Sequence, residues 1–67
     1  METITATYYD ENGEIVESHT FDDLPAGTWE KVNNGDESTE LDQLRPETAV
    51  RGDFVNEETG AVHEFTC

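Results

Sequence analysis

Sixty-seven residues carry seventeen Asp and Glu against three Lys and Arg, a formal net charge of −14. That length predicts one domain spanning residues 1–67, burying only about 60% of its unfolded surface and so stable by a thin margin. The charge excludes direct nucleic-acid binding, which needs a basic surface to neutralise phosphates, and opposes binding to an anionic membrane face.

The chain opens with Thr3-Ile4-Thr5-Ala6-Thr7-Tyr8-Tyr9, a β-branched and aromatic run that predicts a strand. Glu14 to Phe21 repeats the pattern, and Asn12-Gly13 lies between the two, a strong short-range signal for a hairpin. With Gly13 at a positive φ in a three-residue loop, Asp10 closes against Glu14. That register places Ile4, Ala6, Tyr8, Val16 and Ser18 on one face, with Thr5, Thr7, Glu17 and His19 on the other.

Leu24-Pro25-Ala26-Gly27 predicts a turn, and Thr28 to Val32 a lone strand. Asn33 to Glu40 is polar. Asp36 or Ser38 is placed to cap a short helix carrying Leu41 and Leu44, which Pro46 would stop.

Ala49 to Val55 and Ala61 to Thr66 form a second hairpin around Asn56-Glu57-Glu58-Thr59-Gly60. Pairing Asn56 with Ala61 sets Phe54 opposite His63, Gly52 opposite Phe65 and Val50 opposite Cys67. A ring across from a glycine covers bare backbone, so pattern and turn agree on the register. One face reads Val50, Gly52, Phe54, Ala61, His63, Phe65, Cys67; the other reads Arg51, Asp53, Val55, Val62, Glu64, Thr66. The fold class is therefore mainly β, with α+β as the variant. The sheet or open barrel has four or five antiparallel strands, built from two hairpins, a central strand and one short helix. Its expected core is Ile4, Tyr8, Val16, Phe21, Leu24, Trp29, Leu41, Leu44, Val50, Phe54 and Phe65.

The single cysteine, Cys67, allows no intrachain disulfide. Met1-Glu2-Thr3-Ile4 has neither the basic start nor the apolar run of a secretory signal, and no stretch approaches the roughly twenty apolar residues of a membrane span. A cytoplasmic location is expected.

Specific chemistry is sparse. His19, His63 and Cys67 are the ligand types zinc prefers, but His63 and Cys67 are separated by roughly 13 Å along a strand. Counting from Asp10, a calcium loop needs glycine at its sixth position and glutamate at its twelfth; Ile15 and Phe21 stand there. Neither a metal site nor a cofactor is expected, beyond loosely held cations. No serine sits in a nucleophile elbow and no glycine loop resembles a phosphate cradle. A domain this small is not expected to fit a pocket of several hundred Å³ beside its core. Arg51-Gly52-Asp53 lies mid-strand, where Glu64 is placed to pair Arg51. A non-enzymatic protein is expected.

The charge then carries the functional reading. Abundant carboxylates, a single lysine and nine threonines resemble the composition of proteins from organisms that keep molar salt in their cytoplasm. That resemblance implies an environment: repulsion destabilises the compact state in dilute buffer and is screened at molar salt. The chain also resembles, in size and charge, the small acidic inhibitors made by viruses that block restriction, repair or CRISPR proteins by mimicking nucleic acid. A duplex as long as this domain is wide carries about sixteen phosphate charges, a comparable density. Three clusters are candidate partner-binding residues: Asp10, Glu11 and Glu14; Asp36, Glu37, Glu40 and Asp42; Glu57 and Glu58. If both hairpin tips point the same way they make one acidic end. A small accessory subunit, docking through a sheet edge or face, is the third reading. In each, the partner is a protein, with a basic surface where the carboxylates are the contact.

Overall fold

Both hairpins close at the expected turns in the computed structural model, which describes residues 1–35, 41, 43 and 45–67. Asp10 N–H donates to the Glu14 carbonyl (2.9 Å), with Gly13 at φ 81°. The Asp10 carboxylate accepts the N–H groups of Asn12 and Glu14, so the turn satisfies its own backbone. At the other hairpin Asn56 N–H donates to the Ala61 carbonyl (2.8 Å), and Asn56 Oδ1 accepts from Glu58 and Thr59. The strands are β1 (Glu2–Tyr9), β2 (Ile15–Leu24), β3 (Arg51–Asn56) and β4 (Val62–Thr66). They form one open antiparallel sheet in the order β2-β1-β3-β4, with the short helix α1 (Thr28–Asn33) between β2 and β3 in the chain.

The β3–β4 register is the expected one. Gly52 faces Phe65, Phe54 faces His63, and Cys67 N–H donates to the Val50 carbonyl. The Phe65 ring lies so close over Gly52 that a Cβ there would sit 2.7 Å from Phe65 Cζ and 2.8 Å from the Thr7 carbonyl oxygen. Only glycine fits between a ring and a neighbouring strand at that spacing.

The β1–β2 register differs from expectation. Tyr9 pairs with Ile15 but Tyr8 pairs with Glu17, so Val16 is the extra residue of a bulge. One inserted residue inverts every later side chain. Glu17, His19 and Phe21 therefore share the face of Ile4, Ala6 and Tyr8. Ser18 and Thr20 turn to the opposite face, where their hydroxyls meet Thr7 (3.2 Å) and Thr5 (2.9 Å). Val16, expected in the core, is exposed. A second bulge between the Ile4↔Phe21 and Glu2↔Leu24 pairs then brings Leu24 onto the buried face.

The middle segment corrects a second expectation: residues 28–32 are helical, not a strand. The turn before them closes with Thr28 N–H donating to the Pro25 carbonyl, and Gly27 takes φ 94°. Glu2, at the start of β1, places its two carboxylate oxygens on the N–H groups of Gly27 (2.9 Å) and Trp29 (2.6 Å). A carboxylate from a distant strand thus satisfies the donors that a first helical turn leaves open. Six residues are too few for a helix to stand alone, so this contact and the burial of Thr28 and Val32 hold it.

Ile4, Ala6, Tyr8, Leu24, Val32, Leu41, Ala49 and Phe54 form the buried cluster, with Phe21, Trp29 and Phe65 packed at its margin. Val50 is exposed instead of buried. Leu41 and Gln43 have a 3₁₀ backbone, and the buried Tyr8 hydroxyl donates to the Leu41 carbonyl (2.9 Å). The expected cap residues Asp36 and Ser38, and the core position Leu44, lie outside the described residues.

Gly52→Ala is expected to lower stability by about 1–3 kcal/mol, because the Thr7 backbone cannot retreat without breaking the sheet and the Phe65 ring must swing off its packing; chemical denaturation measures it. Glu2 gives a pH prediction. The N–H groups of Trp29 and then Gly27 hold its carboxyl below the ordinary 4.5. Its folded pKa is the lower one, so its stabilisation is complete above the unfolded value and is lost as pH falls through the folded value. The melting difference between wild type and Glu2→Gln should be constant near neutrality and shrink below about pH 4.5.

Candidate binding surface

The antiparallel pairing of β1 with β3 decides where the acidic turns go. Tyr9 pairs with Arg51 and Ile4 with Asn56. The chain therefore leaves β1 for the Asp10–Glu14 turn at one end of the sheet and leaves β3 for the Glu57–Glu58 turn at the other. About 20 Å of paired strand separates them. Asp10, Glu11 and Glu14 do not meet Glu57 and Glu58, and the single acidic end is not formed. The cluster Asp36, Glu37, Glu40 and Asp42 lies outside the described residues.

Among the described residues the carboxylates divide by use. Three are half-buried, and each accepts a hydrogen bond: Glu2 caps α1, Asp10 closes the first turn, and Asp53 Oδ2 accepts from the Tyr9 hydroxyl (3.2 Å). All the others are exposed, on both turns, on β2, on α1, before β3 and on β4.

One mixed cluster was not anticipated. Tyr9, Arg51, Asp53, Glu64 and Thr66 on the face away from the core, together with Gly52 and Phe65, line an open cleft of about 460 Å³. The expectation of no pocket of that size is corrected to this extent: the cleft lies mainly across the sheet from the core, and no described helix or loop fills it. Glu64 is directly opposite Asp53, not paired with Arg51, whose guanidinium lies 4.7 Å over the Tyr9 ring. Asn56 and Ala61 make a hydrogen-bonded pair, so alternation puts Asp53 and Glu64 in a non-hydrogen-bonded pair, where side chains approach most closely. Like charges so placed repel. The Phe54–His63 pairing in the sequence implies Asp53 opposite Glu64 as well.

Tyr9 is not a base here. Burial first, and then the Asp53 charge and hydrogen bond, raise the phenol above its usual 10.0. It stays a donor, and Arg51 offers further N–H groups, so the surface presents charge and hydrogen-bonding groups. Its described residues pair no nucleophile with a base. His19 packs edge-on to Phe21 at 4.6 Å, and His63 stacks beside Phe54 and Phe65. Cys67 is an exposed free thiol, and no three His, Cys, Asp or Glu among the described residues gather as a metal set. No helix among those residues is long and apolar enough to cross a membrane. The chain matches no protein-family model, no curated protein and no solved structure.

Tyr9→Phe removes the hydrogen bond to Asp53 and should cost about 0.5–1.5 kcal/mol at neutral pH. The folded phenol has the higher pKa, so its stabilisation is present below pH about 10 and is lost as pH rises through the folded value. Tyrosinate absorbance should show one late-titrating component fewer in Tyr9→Phe than in the wild type.

Proposed function

We propose that the domain is a non-enzymatic protein-interaction module whose acidic surface is an adaptation to a high-salt cytoplasm. The observation that carries this reading is the dispersal of carboxylates. Among the described residues, those the fold does not use are exposed on both turns, both outer strands and the helix, with no single face concentrating them. A surface under that load repels itself in dilute buffer, most directly at Asp53 and Glu64. At molar salt the Debye length falls to about 3 Å and the repulsion is screened.

The alternative, an inhibitor that mimics nucleic-acid charge and blocks a restriction, repair or CRISPR protein, draws support from one feature. Glu14, just before the outer strand β2, and Glu17, Asp22 and Asp23 along it are all exposed. The row covers roughly 30 Å, over which one duplex strand presents about nine phosphates. Four charges in that length are too dilute a copy to outweigh the dispersal elsewhere.

Circular dichroism melting from dilute buffer to molar KCl tests the adaptation. Relief of ~2 kcal/mol of repulsion would raise the midpoint by about 10 °C in a domain of this size. A midpoint that stays flat across the range overturns it. Capture from host lysate at the salt the fold prefers distinguishes the readings: a nucleic-acid enzyme released by added duplex decides for mimicry.

A further inference from the structure

The two outer strands of the sheet are defended unequally. β2 carries two bulges and the exposed acids Glu17, Asp22 and Asp23. Bulges and charges are the devices that keep an edge from accepting another strand. β4 has no bulge: its register runs unbroken from Arg51↔Thr66 to Val55↔Val62, and Glu64 is its one carboxylate.

The register also says which backbone groups are on offer. The Ala61 carbonyl accepts from Asn56 N–H, and Cys67 N–H donates to Val50, so residues 63 and 65 direct their N–H and carbonyl groups toward β3. Val62, Glu64 and Thr66 direct theirs outward, and β4 ends the sheet with no strand beyond it among the described residues. The side chains flanking that edge are unfinished on both faces. His63 and Phe65 are only half-buried on the core face. On the other face Glu64 stands against Asp53.

We propose that the outer edge of β4 takes an extended segment of a partner protein as an added strand. That segment places Lys or Arg opposite Glu64 and apolar side chains beside His63 and Phe65. The inference rests on the interaction-module reading and specifies how the module binds. The added strand satisfies the outward groups of Val62, Glu64 and Thr66, its cation relieves the Asp53–Glu64 repulsion, and its apolar residues finish covering two rings. Charge also selects against a second copy as occupant. Antiparallel β4–β4 pairing centred on Glu64 would set Glu64 against itself, between two bodies each carrying −14.

The test is an NMR titration of the ¹⁵N-labelled full chain, at a KCl concentration where it is folded. The probe is the blocked peptide Thr-Val-Lys-Val-Thr, compared with the same peptide carrying Glu at its centre. Slowed amide exchange at Val62, Glu64 and Thr66, with β2 unchanged, is the expected result. The Lys peptide should bind about five-fold tighter than the Glu peptide, and Glu64→Lys should reverse that preference. Three results would overturn the proposal: no protection at those amides with millimolar peptide, protection on β2 instead, or protection of the same amides by self-association without peptide. A failed titration leaves salt-dependent melting standing, and flat melting leaves a positive titration standing, so the two ideas fall separately.

Discussion

The antiparallel pairing of β1 with β3 makes one structure from two hairpins that are far apart in the chain, and the other arrangements follow from it. Each hairpin alone is a two-stranded ribbon, marginal in water. Joined through Ile4↔Asn56 to Tyr9↔Arg51, they give a four-stranded sheet with one buried face. The pairing lays Phe54 beside Ala6 and Gly52 beside Tyr8, so that Tyr8 contacts the Phe54 and Phe65 rings edge-on. Its direction sends the acidic turns to opposite ends, and its position leaves β2 and β4 as the outer strands.

With no disulfide and a small core, little stability stands in reserve, and charge bears on it directly. Among the described residues, the structure spends three carboxylates on its own backbone and hydroxyls and leaves the others in water. Glu2 is the most consequential of the three, because it ties the start of β1 to the start of α1 and so closes the helix over the sheet. Asp53 is the most compromised, since it accepts from Tyr9 while facing Glu64. Salt acts differently on the two kinds of group. It screens the solvated majority, whereas a carboxylate bound by short hydrogen bonds loses far less to screening.

The polar groups of the open face are unevenly distributed. Thr5, Thr7, Ser18 and Thr20 spend their hydroxyls on one another at the β2 side, while the cleft and the undefended backbone lie toward β4. A partner meeting this face finds hydroxyls already paired at one margin and open groups at the other. The asymmetry joins the interaction reading to a definite part of the sheet.

The local residues determined both turns and the whole second hairpin. Asn12-Gly13 and Thr59-Gly60 demand positive φ at fixed places, and Gly52 across from Phe65 allows one register. The first hairpin was half legible. Its turn follows from sequence, but a bulge at Val16 costs so little locally that only packing chooses it, setting Glu17 and His19 on the face that Val16 and Ser18 were expected to share. Thr28 to Val32 reads locally as a strand, and the Glu2 carboxylate, distant in sequence, caps a helix there instead. The candidate site followed the same division. Composition identified the carboxylates, and the β3–β4 pattern implied that Asp53 meets Glu64. Whether the acidic turns converge, and which edge stays open, depended on how β1 and β3 pair, a contact between distant segments that no local pattern encodes.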